Sequence, residues 1–216
     1  MEKNKNRLPI IIYIAATFAF FAAVLIVPQT REIFKKLSSE HPYIMGFIKF
    51  ALLATAGELI ATRMATKTWK VPVKIIARFV IWGIIGAWIT LMMGVYKTAA
   101  FSGILPLSDN ATVAKILGAF YTSVLMNTSF GPTFMAIHKC SDKYLELRAE
   151  TQGKVKLSDV IGGVDWSRFV SFTIFKTVPL FWIPAHTVTF LLPSEYQVIM
   201  AAALSVALGI ILNLKK

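Results

Sequence analysis

Charge is scarce in this chain: 16% of its 216 residues are Asp, Glu, Lys or Arg, against about 25% in ordinary soluble domains. With 56% hydrophobic residues and a mean hydropathy of +0.64, that excludes a typical water-soluble domain and points to a membrane. Cysteine is nearly absent, and the single Cys140 excludes an internal disulfide. The three histidines stand in no metal-ligand spacing, so no metal or cofactor is expected. HExxH, GxSxG, P-loop and dinucleotide-binding glycine patterns are all missing, and no enzymatic activity is expected.

Negative charge is scarcest of all, with 11 acidic against 23 basic residues and a formal net charge of +12. Such an excess invites a nucleic-acid reading, which the distribution of the basic residues removes. They cluster in alternate loops, as membrane insertion requires, and no nucleic-acid partner is expected.

What is present is apolar sequence in long runs. About 20 residues of helix cross the hydrocarbon, and six segments reach that length: Pro9 to Val27, Pro42 to Thr62, Ile75 to Tyr96, Val113 to Ile137, Phe169 to Leu192 and Tyr196 to Asn213. The expected fold class is all-α, a polytopic transmembrane helical bundle of about six spans. Residues 1–40 are read as an N-terminal transmembrane helix and loop, and residues 41–216 as a five-helix membrane domain. Lys3, Lys5 and Arg7 before the first run resemble a secretory signal. Its length and the lack of an A-x-A site favour a retained helix instead.

Six spans make the loop charges a test. One side collects sixteen Lys and Arg, from the N-terminus, the loop around Arg63 to Arg78, the long segment His138 to Arg168 and the C-terminus. The other side has five: Arg31, Lys35, Lys36, Lys97 and Lys115. Both termini are therefore expected in the cytoplasm. Trp166, beside a charge, suits the headgroup level. Small residues recur every four positions at Ala15, Ala19 and Ala23, at Gly83 and Ala87, and at Ala201, Ser205 and Gly209. Such faces suit close helix contacts within one chain or in a homo-oligomer.

The stretch FKTVPLFWIPAHTVTFLLP, Phe175 to Pro193, concentrates polar and helix-breaking residues inside a span. Pro179 and Pro184 kink the helix, and threonines at 173, 177, 187 and 189 are placed to satisfy the carbonyls so freed. Lys176, His186 and Thr187 fall on one side of a helical wheel. Elsewhere Thr55, Glu58 and Thr62 share a face, and Lys49 is placed to snorkel towards the interface. Ser123, Asn127 and His138 lie near one face of the fourth span, where Pro132 follows Gly131. An ionisable group within a span is costly and needs a partner, so Glu58 with Lys176 is the expected pair. Glu58, Asn127, Lys176 and His186 are the candidate interior or solute-facing residues. Holding helices in register is the competing role for the same groups.

Trp182 to Val198, WIPAHTVTFLLPSEYQV, resembles the C-terminal signature of the Mpv/peroxisomal membrane protein family, with Trp182, Pro184, Phe190, Pro193 and Tyr196 in its places. Gly57-Glu58-Leu-Ile-Ala-Thr62 is similar to the family's G-D-x-x-x-Q, and Asn127-Thr-Ser-Phe130-Gly-Pro132 to its Q-x-x-F-x-P. The likeness runs from about His41 to the end. Glu58, Thr62, Met126, His186 and Gln197 depart from the pattern, two spacings differ by one residue, and the first span lies outside it. The resemblance is that of a divergent, bacterial member. It implies a multi-pass protein of the cell membrane (mitochondrial or peroxisomal in a eukaryote) and a channel-like pathway for small polar solutes. The alternative is a non-transporting structural or interaction protein whose basic loops bind anionic lipids of the bilayer or a protein partner.

Overall fold

The computed structural model describes residues 7–151 and 154–214. Lys3, Lys5, Lys215 and Lys216, four of the basic residues in the loop tally, lie outside them. The described chain is helical and contains no strand. In order, its helices are α1 (Arg7–Ile26), α2 (Pro28–Glu40), α3 (Pro42–Thr66), α4 (Ile75–Ala100), α5 (Ala111–Leu125), α6 (Gly131–Glu150), α7 (Leu157–Gly162), α8 (Trp166–Arg168), α9 (Ile183–Leu191) and α10 (Ser194–Leu214). Two π-helical segments interrupt the series, Met126–Phe130 between α5 and α6 and Phe169–Trp182 between α8 and α9.

Five helices are long and apolar enough to cross a membrane: Arg7–Ile26, Pro42–Thr66, Ile75–Ala100, Trp166–Leu191 and Ser194–Asn213. Large apolar side chains such as Ile26, Ile76, Ile84 and Leu180 stand exposed on them, a surface suited to acyl chains. The expected fourth span, Val113 to Ile137, is helical but is not among the five. Lys115, Asn127 and the hydroxyl residues Thr122, Ser123, Thr128 and Ser129 lower its hydropathy.

The chain divides into two compact units, Met1–Thr90 with Val198–Lys216, and Leu91–Gln197. The first helix joins the first unit because α1 packs on α2 and α3, with Ile10, Thr17 and Phe21 buried. Ala15, Ala19 and Ala23 are exposed on its other side.

In the first unit α3 and the start of α4 form an antiparallel hairpin. Contacts descend in step across it: Gly46 against Thr90, Phe50 against Gly86, Phe47 against Gly83, and Glu58 against Arg78. Missing side chains permit this approach, since a Cβ at Gly46 would stand 2.8 Å from the Gly86 carbonyl oxygen. On the neighbouring face a Cβ at Gly57 would stand 2.9 Å from Val206 Cγ2 of α10. Where lipid offers no hydrophobic drive between helices, van der Waals packing of this kind holds them together. The hairpin turns through Lys67 and Lys74, both left-handed with φ 56.

The polar segment after α1, read from sequence as a loop, is helix α2. Pro28 opens it, Glu32 pairs with Lys35 at 3.1 Å, and Phe34 and Ser38 are buried against the rest of the unit. Lys49 does not snorkel. It is 2% exposed, and its ammonium donates to Ser38 Oγ at 2.8 Å and lies 4.4 Å from the centre of the Phe34 ring. The amphipathic helix gives the buried cation an acceptor and a π face, which is why it lies closed over α3.

In the second unit α5 packs along α9. Both π segments stand before a proline. Pro132 lacks an N–H, and ahead of it the Gly131 N–H bonds five residues back to Met126 O. Ahead of Pro184, Ile183 N–H bonds five residues back to Val178 O. Widening the turn by one residue is one way a helix accommodates a proline ring.

Candidate functional site

The candidate residues divide into a charged cluster in the first unit and a neutral polar line in the second. In the first, Arg78 Nη1 donates to Glu58 Oε1 at 2.7 Å, and Trp82 Nε1 donates to Glu58 Oε2 at 3.3 Å. Arg78 Nε donates to Val73 O at 3.0 Å, so the turn before α4 fixes the guanidinium. The side chains are 7% exposed for Arg78 and 19% for Glu58. A charge-assisted bond this short, out of most of the water, is among the stronger polar contacts a helix pair can make.

Sequence reasoning gave Glu58 the counter-charge Lys176 and counted Arg78 among loop residues. The structure gives it Arg78. Lys176 lies in the second unit, exposed beside Phe175, Pro179 and Leu180, while His186 is buried and Thr187 half-buried. The expected single polar face is therefore divided. A wheel drawn at 100° per residue loses register through the π-helical Phe169–Trp182, whose turns hold more residues.

The polar line of the second unit begins on α5. Ser123 Oγ donates to Ile183 O at 2.7 Å, tying α5 to the first residue of α9. Asn127 Nδ2 donates to Ser123 O at 2.8 Å and to Ser123 Oγ at 3.2 Å. Its Oδ1 is then the acceptor, and His186 Nδ1 is the donor at 3.1 Å. This network fixes a proton on Nδ1, and a neutral imidazole then carries its lone pair on Nε2. That atom is buried and has no hydrogen-bond partner among the described residues. Ser123 is fully buried, Asn127 is 3% exposed and His186 6%. The imidazole is held between aromatic neighbours, 5.0 Å from Trp182 and 6.4 Å from Phe190, centre to centre.

His138, expected near Ser123 and Asn127, lies beyond the π turn and pairs with Asp142 at 3.4 Å. Three of the four threonines of the fifth expected span bond backward, Thr177 to Phe172 O, Thr187 to Ile183 O and Thr189 to Ala185 O. None of these carbonyls stands four or five residues before a proline, so they are not the ones the prolines free.

The remaining motif residues have structural surroundings. Phe130 is buried and stacks on Phe134 at 5.3 Å, and Pro132 sits in the first turn of α6. Pro193 separates α9 from α10, and its carbonyl accepts from Tyr196 N–H at 3.0 Å. Gln197, which the sequence marked only as a departure, is 4% exposed and donates to Leu192 O at 2.8 Å. It satisfies a carbonyl left open at the end of α9. No group of three or more His, Cys, Asp or Glu able to hold a metal occurs among the described residues. No protein-family model, curated protein or solved structure matches this chain.

Proposed function

We propose that the protein forms a weakly selective, channel-like pathway for small polar solutes across a cell membrane. The observation that carries this reading is the Ser123–Asn127–His186 line, which ends on a buried imidazole nitrogen with no partner among the described residues. A lone pair held in an otherwise satisfied polar line is a place where water or a solute hydroxyl gains a hydrogen bond. The line also lies where α5 and α9 meet π turns, and irregular backbone within a membrane is tolerated where it is covered or lines a cavity. The likeness to the Mpv/peroxisomal membrane protein family supports the same function.

In this reading Val113 to Ile137 supplies a sixth crossing beside the five apolar helices. An even number returns both termini to one side, and the bias of basic residues makes that side the cytoplasm. A mitochondrial or peroxisomal membrane takes its place in a eukaryotic cell.

A second reading, a structural or interaction protein, is favoured by the first unit. Glu58 is closed by Arg78 and Trp82, and Lys49 by Ser38 and Phe34, so these charges hold helices rather than face a solute. The two readings separate in liposomes of purified protein loaded with size-graded neutral and charged solutes. The pathway predicts release with a size limit, changed by His186→Leu in protein that remains folded. Release no faster than from empty liposomes supports the structural reading and sinks the first.

A further inference from the structure

One cavity of the second unit has a chemistry that neither reading uses. About 290 Å³ of space lies among Lys97 and Phe101 at the end of α4, Lys115 and Thr122 on α5, Phe190 on α9 and Ser194 at the start of α10. That volume stands at the lower end of the range for small-molecule sites. Lys97 is half-buried and Lys115 exposed, so the space opens at the ends of its helices, which in a membrane-spanning chain suits the headgroup level.

Two ammonium groups share these walls with no carboxylate. Among the described residues, no hydrogen bond or ion pair engages either one. The nearest acidic residues in sequence, Asp109 and Glu195, do not line the space. Thr122 donates its proton to Gly118 O at 2.7 Å, which leaves Ser194 as a hydroxyl donor among the lining residues. The apolar part of the wall, Phe101 and Phe190, lowers the local dielectric and strengthens attraction for an opposite charge. Like charges sharing one small cavity are costly, and an anion between them relieves that cost.

We propose that this cavity binds a single small anionic group, a phosphate or carboxylate, between Lys97 and Lys115. The group belongs either to a dissolved solute or to a lipid headgroup. The proposal rests on the cavity alone, and binding does not require the pathway; where the pathway operates, the site favours anions at its mouth.

The test uses the full chain in two settings. In neutral detergent, inorganic phosphate and succinate are titrated by calorimetry. In nanodiscs, retention of phosphatidylglycerol is compared with phosphatidylcholine by native mass spectrometry. Wild type is expected to bind in at least one setting, and Lys97→Gln or Lys115→Gln to weaken binding at least 10-fold. The double change should abolish it, while Lys97→Arg with Lys115→Arg retains it. Binding in detergent identifies a dissolved anion, and selective retention in nanodiscs alone identifies a headgroup. The unmutated protein supplies a check free of folding defects, because the bound anion should slow acylation of Lys97 and Lys115 but not of Lys35. No binding in either setting, or binding and acylation rates indifferent to these lysines, overturns the proposal.

Discussion

Replacing Glu58 by Gln tests the charged cluster where its geometry is best defined. The substitution keeps the size of the side chain and removes the charge, leaving the Arg78 guanidinium, 7% exposed, without its carboxylate while its Nε still donates to the Val73 carbonyl. Removing one partner of a buried ion pair costs about 3–5 kcal/mol, chiefly because the survivor is left charged and uncompensated. Glu58 is 19% exposed, and the new amide oxygen still accepts a weaker bond, which places the cost near the low end, about 3 kcal/mol. That is roughly a 100-fold loss in the folded to unfolded ratio. Glu58→Gln with Arg78→Met removes both charges and should recover at least about 2 kcal/mol, since an apolar replacement of a buried pair is often neutral. Lys176→Met, which changes an exposed side chain, should leave stability unmoved. Reversible unfolding in mixed micelles at increasing SDS measures these four proteins and the Arg78→Met single variant, which closes the cycle. Additive losses in the double variant, with coupling below about 0.5 kcal/mol, would refute the pairing and its energetic weight.

Three further outcomes follow from the packing and the polar line. Gly86→Leu inserts a side chain where Phe50 and the Gly46 backbone already stand. It should cost about 1–3 kcal/mol or more by overpacking, read in the same unfolding assay, while Gly94→Ala, in open space, should be tolerated. Asn127→Leu strands the His186 Nδ1–H, with an expected loss of about 1–3 kcal/mol; adding His186→Phe should return part of it, and no recovery would remove the imidazole from the explanation. Gln197→Ala uncovers the Leu192 carbonyl and should cost about 1 kcal/mol, with faster amide hydrogen exchange confined to the end of α9 and the start of α10.

The apolar helices were the most legible part of the chain. Pro42 and Ile75 open α3 and α4 where the hydropathy begins, although the helices continue to Thr66 and Ala100, beyond the Thr62 and Tyr96 at which the apolar runs stop. Helical hydrogen bonding outlasts hydrophobicity, and Thr66 Oγ1 at the polar end of α3 donates back to Thr62 O at 2.8 Å. Helix α2 was hidden because it is too polar to read as a span. Its signals were Pro28 at a first-turn position and the Glu32–Lys35 spacing.

The partner of Glu58 was obscured by counting Arg78 as a loop charge. An antiparallel hairpin turning between Lys67 and Lys74 brings the end of one helix beside the start of the next, so a basic residue three positions into α4 was a nearer candidate than one in a distant span. Asn127 and His186 were both found from sequence, but their union was not. Their meeting depends on α5 packing along α9 and on π turns at Met126–Phe130 and Phe169–Trp182, and the prolines mark irregularity without specifying its form. The lysine-lined cavity had no local motif at all, since its walls come from four helices.

Access to position 186 from water is the measurement that bears most directly on the pathway. In a Cys140→Ser background, His186→Cys would be treated in liposomes with a small cationic thiol reagent while solute release is followed. A pathway through the polar line predicts labelling from the aqueous phase and a matching loss of release. A folded variant that releases solute while its thiol stays unlabelled, or that labels with release unchanged, would contradict a pathway past His186.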